Sequence, residues 1–251
     1  MFDVSPDAYD RFMGRFSVQL SPQLADLADV HPGQSVLDVG CGPGALTTEL
    51  VKRLGPNAVA AVDPSTSFVT AARERHPGVF VQQAPAEKLP FLDARFDAAL
   101  GQLVVHFMKD SVAGLSEMAR VTRPGGVVAA CVWDHAGERS PLTIFWRAVR
   151  DLDGKVEDES QLAGARGGHL AELFARAGLR HVTDTELDAR VAYRTFEEWW
   201  EPYPLGVGPA GAYVAKLDEE GRRELEDRCR QLLPEPPFTL GAVAWAARGV
   251  A

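Results

Sequence analysis

Two hydrophobic periods alternate along the first half of the chain. Short apolar or β-branched runs at 35–39, 58–62, 79–82, Phe96–Gln102 and 127–133 have the near-continuous hydrophobicity of strands buried on both faces. Helical spacing separates them. After Gly44, the side chains of Leu46, Leu50, Val51 and Leu54 share one face, and Ser65 stands where it can cap a helix over Thr66–Arg75. Leu115, Met118, Ala119 and Val121 mark the helix before the fifth run. Strands alternating with helices predict a parallel sheet covered on both faces. The pattern loosens after residue 133. Residues 142–152 and 170–177 read as helices, 179–187 as a strand, 218–233 as a charged helix and 238–247 as a last strand. That last strand follows a long excursion, which suits an antiparallel edge strand hairpinned to its neighbour. The irregular stretches are expected to cover the C-terminal ends of the strands, where open α/β sheets bind ligands.

The first strand runs into VLDVGCGPGA, in which a carboxylate, Asp38, precedes a glycine turn and then a helix. Glycines in such a turn adopt positive φ and let a ligand approach the backbone, while the helix start offers unpaired N–H groups to an anion. Gly40, Gly42 and Ala45 fit the G-x-G-x-x-G/A fingerprint of dinucleotide sites. On the loop alone, two cofactors remain, a nicotinamide or flavin dinucleotide and S-adenosylmethionine, beside a plain turn that binds nothing.

Composition narrows the setting. The 251 residues suffice for one large domain, and a net charge of −9 argues against a surface that tracks phosphates, so nucleic acid is not an expected partner. The N-terminus lacks a basic start with an apolar core, and no apolar run reaches membrane-spanning length; a soluble, cytoplasmic protein with no membrane partner is expected. Cys41, Cys131 and Cys229 are widely separated, which suggests a reducing compartment and no disulfide framework. Without Cys-x-x-Cys or His-x-x-x-His pairs, no metal site is expected.

The segments VLDVGCGPGALT, AVDPS, APAEKLPFLDARFDAAL and EMARVTRPGGVV, in this order and spacing, resemble the class I S-adenosylmethionine-dependent methyltransferases, in the branch of the quinone- and sterol-methylating enzymes. The resemblance spans residues 9–133 and favours S-adenosylmethionine, because a dehydrogenase needs neither the AEKLPF segment nor the ARVTRPGG entry to the fifth strand. It implies a doubly wound α/β fold with a mostly parallel seven-stranded sheet, an antiparallel edge strand and a helical cover. A single domain over 1–251 is expected, with an N-terminal arm (1–30), a cofactor-binding half (31–133) and cover insertions at 134–168 and 195–235. The implied reaction is methyl transfer to a small organic acceptor, leaving S-adenosylhomocysteine. Two other readings stand beside it: a non-catalytic binding or sensor protein, and an NAD-dependent oxidoreductase, which the segments after the third strand disfavour.

Site residues follow from the same resemblance. Asp63 closes the second strand where a carboxylate can accept both ribose hydroxyls. Asp38 supports the loop or reaches the cofactor's amino end, and the backbone of Gly40, Cys41 and Gly42 lies against its methionine and ribose portions. Pro64 and Ser65 line one adenine face, and Gln102 offers a carbonyl to the ammonium group. The family commonly has Gly-Asp-Ala-Glu where this chain has Ala84-Pro85-Ala86-Glu87. Pro85 has neither an acid nor an N–H, so the adenine contact falls to Ala86, with Gln83 or Glu87 as substitutes. The arm, YDRFMGRFS, resembles a segment that folds over the cofactor, with Tyr9 closing the pocket and Arg15 pairing with the methionine carboxylate. The plainer alternative is a surface arginine beside packed aromatics.

His106, four residues past Gln102, is the candidate catalytic base, although the family often has a structural histidine there. His135 with Asp134, and His169, are other candidates; His31, His76 and His181 read as turn or surface residues. Trp133, Trp199 and Tyr203 are candidate acceptor contacts within an aromatic cover.

Overall fold

Strands β1 (Val36–Val39), β2 (Val59–Asp63), β3 (Phe80–Gln83), β4 (Phe96–Gln102), β5 (Thr122–Trp133), β6 (Arg180–Tyr193) and β7 (Phe238–Val250) form one seven-stranded sheet, ordered β3-β2-β1-β4-β5-β7-β6, in a computed structural model that describes residues 5–251. The first four residues of the expected arm lie outside the described residues. β1 to β5 pair in parallel, and β7 pairs antiparallel with both β5 and β6. The expected antiparallel strand is therefore present one place in from the edge, and the edge itself is β6. β5 and β6 run in the same direction a strand's width apart, and β7 fills the gap, supplying the backbone partners that both inner edges need.

Helices α1 (Pro6–Tyr9) and α2 (Arg15–Leu27) are joined by a π-helical turn (Asp10–Gly14). The crossover helices are α3 (Ala45–Leu54), α4 (Thr66–Arg75), α5 (Ser111–Val121), α6 (Thr143–Leu152) and α7 (His169–Arg176). The C-terminal cover adds α8 (Phe196–Trp200), α9 (Gly208–Val214) and α10 (Glu219–Leu232). Strand alternation splits the core in two. Along β5, Ala129, Cys131 and Trp133 pack with α2, α3, α4 and the cover, while Val128, Ala130 and Val132 pack with α5 and α7. The cover, α2 and the glycine loop meet at the C-terminal ends of the parallel strands. Among the described residues, no helix is long and apolar enough to cross a membrane.

Candidate active site

The loop after β1 is tied to its neighbour strand. The N–H groups of Gly40 and Cys41 both donate to the Val62 carbonyl, at 2.8 and 3.0 Å. Gly40 has φ +71°, and a Cβ there would lie 2.2 Å from the Val104 side chain. Gly44, at φ +102°, leads into α3, and its Cβ would lie 2.7 Å from His76 Nε2. His76, expected at a turn or surface, is buried. Its Nε2 lies 3.2 Å from the Gly44 carbonyl and 3.2 Å from Thr48 Oγ1, so the imidazole braces the glycine loop from behind. Burial lowers its pKa, which keeps it neutral in that role.

Two carboxylates flank the loop. Asp38 is fully buried on β1; its Oδ2 accepts from Thr47 Oγ1 at 2.6 Å, and its Oδ1 has no partner among the described residues. Burial pushes this carboxyl up to about 7, the Thr47 bond offsets part of the rise, and the charge of Asp63 adds to it. Asp63 ends β2. Its two oxygens accept the Gly42 N–H at 2.9 Å and the Ser65 N–H at 2.8 Å, and burial raises its pKa against those bonds. A carboxylate has about four acceptor sites, so further donors can still be taken. Gly42 itself is open: a Cβ there would meet nothing within 4 Å.

The adenine-side candidates are arranged less uniformly. Ser65 caps α4, accepting the Phe68 N–H at 3.4 Å. Pro64 is exposed, and its carbonyl accepts from Gln83 Nε2 at 3.0 Å. Ala86 is buried and Pro85 exposed. Glu87 turns toward the start of α5, where Oε1 accepts the Lys109 and Asp110 N–H groups at 2.7 and 3.3 Å. Gln102 donates from Nε2 to the Ser17 carbonyl at 3.0 Å, while its buried Oε1 has no partner among the described residues. The next residue, Leu103, has φ +58°, a left-handed conformation costing a non-glycine residue about 1–3 kcal/mol. Its N–H is held by the Cys131 carbonyl at 2.9 Å.

The arm's two candidates lie in different surroundings. Tyr9 packs edge-on against Phe68, and burial pushes its hydroxyl up to about 12, with Ser17 and Asp63 close by. Arg15 points elsewhere. Its guanidinium pairs with Glu198 at 2.8 Å, donates to the Ala192 carbonyl at 2.6 Å and lies 4.8 Å over the Tyr193 ring. The π-helical turn Asp10–Gly14 lies between the two residues, and past it Arg15 faces β6 and α8 while Tyr9 faces α4.

At the C-terminal ends of β4 and β5 lies a partly open pocket walled by Tyr9, Leu103, His106, Trp133, His135 and Glu159 among others. His106 sits on a 3₁₀ turn (Val105–Phe107) and His135 follows β5; their ring centroids are 6.1 Å apart. Burial lowers His106 to about 3, with His135 adding to the effect, and lowers His135 to about 4. His106 Nδ1, His135 Nε2 and Trp133 Nε1 are buried without partners among the described residues. Nothing in the sequence marks Glu159 as a site residue, because it lies in a polar, aperiodic stretch. It opens a 3₁₀ turn (Glu159–Gln161), is buried, and accepts from Trp146 Nε1 at 2.8 Å. Burial pushes it up to about 7.

Trp199 and Tyr203 are not in this wall. Tyr203 stacks on Phe145 with centroids 4.6 Å apart, and Trp199 lies 4.8 Å from Tyr203, both deep in the aromatic core of the cover. They face a different small pocket, with Arg11, Phe16 and Tyr193 in its wall. His169 accepts the Gly164 N–H at 3.3 Å, at the start of α7.

The family model described as "Methyltransferase domain" matches residues 37–130. The fatty-acid O-methyltransferase of Mycolicibacterium smegmatis is 37% identical over 209 residues, 82% of this chain and 71% of that protein. The malonyl-[acyl-carrier protein] O-methyltransferase of Erwinia billingiae is 40% identical over 134 residues, 53% of this chain. The chain spans about half the length of the first curated relatives it matches, 46% and 52%. Among solved structures, the YcgJ protein of Bacillus subtilis superposes with a TM-score of 0.59 at 18% identity, covering 92% of this chain and 97% of that one. Such a likeness shows the fold; the longer sequence match shows the kinship. The chain belongs to the class I S-adenosylmethionine-dependent methyltransferase family.

Proposed function

We propose that the chain transfers the methyl group of S-adenosylmethionine to a small organic acceptor. One observation carries this reading. At the ends of the adjacent strands β1 and β4, Asp38 Oδ1 and Gln102 Oε1 are buried acceptors without partners among the described residues, and they flank the glycine loop. A buried acceptor left unpaired costs about 1–3 kcal/mol, and an ammonium group is its natural complement. The residues therefore fit the cofactor. Asp63 has acceptor sites left for the ribose hydroxyls, the open side of Gly42 receives the chain of the methionine, and Ser65, Pro64 and the Ala86 N–H border the adenine. Bound there, S-adenosylmethionine supplies an electrophilic methyl group on a sulfonium.

What this chain contributes is position and dryness. The rigid loop and strand ends orient the donor, while Tyr9 and the cover exclude water from the cavity on the acceptor side. The relative named for fatty-acid O-methylation supports a small acceptor, and the net charge of −9 speaks against nucleic acid. The cysteines are free and buried, which suits a reducing compartment such as the cytoplasm.

Calorimetry tests the reading. S-adenosylhomocysteine should bind and NAD should not, and Asp63→Ala should weaken binding by about 2–3 kcal/mol, the scale for losing a charged acceptor. Tight NAD binding that depends on Asp63 would overturn it.

A further inference from the structure

The pocket at the ends of β4 and β5 carries no lysine or arginine in its wall among the described residues. Apart from Tyr9, its titratable groups are His106, His135 and Glu159. Glu159 is anchored through one oxygen, Oε2, by the indole N–H of Trp146 at 2.8 Å. With His135 it also lines a second, polar pocket that includes Ser140, Arg150 and Asp158. Glu159 and His135 thus form the partition between an apolar chamber at the ends of β4 and β5 and a charged one behind it.

We infer that the acceptor is an apolar molecule whose nucleophilic oxygen or nitrogen still carries a proton, and that Glu159 receives that proton and hands it to the polar cavity behind. This rests on the methyl-transfer reading. The acceptor's lone pair forms the new bond to carbon, and the carbon–sulfur pair stays with sulfur. The O–H or N–H pair stays with the acceptor as its proton moves to Glu159, which changes from carboxylate to carboxylic acid. An acceptor that is already a carboxylate needs no base. It would also face the charge of Glu159 with no cationic side chain in the wall to offset it.

The histidines are poorer bases here. Burial holds His106 at about 3 and His135 at about 4, so both are neutral and weakly basic at neutral pH, whereas Glu159 at about 7 matches it. The groups around Glu159 are Asp158 on its own turn, His135 and Glu138 from the segment after β5, Arg150 of α6, His106 across the chamber, and Tyr203 of the cover. Asp158 raises its pKa further.

The test is calorimetry on the full chain saturated with S-adenosylhomocysteine, using 4-heptylphenol and 4-heptylbenzoate as probes of equal tail length. In the unaltered protein the benzoate should weaken about tenfold between about pH 6 and about pH 8, as Glu159 ionises, while the phenol stays nearly flat. Glu159→Gln keeps an oxygen for the Trp146 N–H, so it should fold and bind S-adenosylhomocysteine normally. It should abolish the pH dependence for benzoate, leaving it about tenfold tighter than the unaltered protein at about pH 8. With S-adenosylmethionine it should slow phenol methylation about a hundredfold or more with KM unchanged. Glu159→Asp, which keeps a carboxylate, should retain the pH dependence. Equal benzoate affinity in Glu159→Gln and the unaltered protein at about pH 8, or methyl ester as the favoured product, overturns the assignment of Glu159 alone. Failure of S-adenosylhomocysteine to bind overturns the methyl-transfer reading first.

Discussion

Gln19 serves Arg190 as a neighbouring strand would: its side-chain amide donates to the Arg190 carbonyl at 2.9 Å and accepts the Arg190 N–H at 3.0 Å. One turn on, Gln23 does the same for Asp188, at 2.7 and 3.2 Å, and one turn back Arg15 donates to the Ala192 carbonyl. Residues four apart on a helix rise by about 6.0 Å, close to the roughly 6.6 Å between residues two apart on a strand, so α2 can pair with the open side of β6. Replacing Gln19 and Gln23 together with alanine should cost about 1 kcal/mol per lost pair and leave β6 as a bare sheet edge. Urea unfolding would read the first effect and sedimentation velocity the second, as concentration-dependent self-association. A double variant that stays monomeric and fully stable would show that water replaces the amides at no cost.

Gly44 is constrained twice, by its φ of +102° and by the His76 ring behind it. Gly44→Ala should lose about 1–3 kcal/mol of stability and weaken S-adenosylhomocysteine binding. Adding His76→Ala should relieve the collision but not the backbone strain, so only partial recovery is expected in thermal unfolding. Full recovery would mean that φ is not the limiting term.

Asp38 ties pH to stability with a definite sign. Its folded pKa of about 7 exceeds the model-peptide value of 3.8, so the folded state holds the proton more tightly than the unfolded chain. The stability this gives is complete below about pH 4 and is lost as pH rises through about 7. Asp38→Asn should therefore gain on the unaltered protein over that window, by about 2–4 kcal/mol, when the two are compared by denaturant titration at several pH values. A difference that shrinks as pH rises would contradict the buried, protonated state of this acid.

Trp199 and Trp133 should separate cleanly. Trp199 is buried in the cover's aromatic cluster, so Trp199→Ala should cost about 3–5 kcal/mol and broaden the unfolding transition rather than change acceptor affinity alone. Trp133→Phe keeps the packing against Phe16 but deletes an unpartnered indole N–H in the cavity wall. It should leave the melting temperature near its original value and shift the binding of a phenol probe.

The first five strands and their helices are legible because a parallel sheet buries each strand on both faces and writes it as an unbroken apolar run. β6 is harder to read. Leu187, Ala189, Val191 and Tyr193 are buried between exposed neighbours, so its C-terminal half alternates and escapes a search for continuous hydrophobicity. In the site, Asp38, Asp63 and the glycines are local to one loop and its neighbour strand, and a sequence displays such neighbours well. His76 and Glu159 reach the site through folding from positions that look like surface. Arg15 and Trp199 are the opposite case: their chemistry suits a site, while packing against β6, α8 and the aromatic cluster of the cover decides where they point.

β7 also sets the order in which this molecule can be assembled. It lies between β5 and β6 in the sheet but comes after both in the sequence. A growing chain that has finished β6 has no strand beside which to lay it; the glutamines of α2, made long before, are the backbone partners already waiting. Until β7 emerges, β5 and β6 each keep an unpaired edge, and closing the gap brings together residues far apart in sequence, the slow kind of contact to form. Damage to the code for residues 238–250 would thus fall on two strands besides its own, and a ribosome stalled just before it would present an open sheet rather than a shortened enzyme.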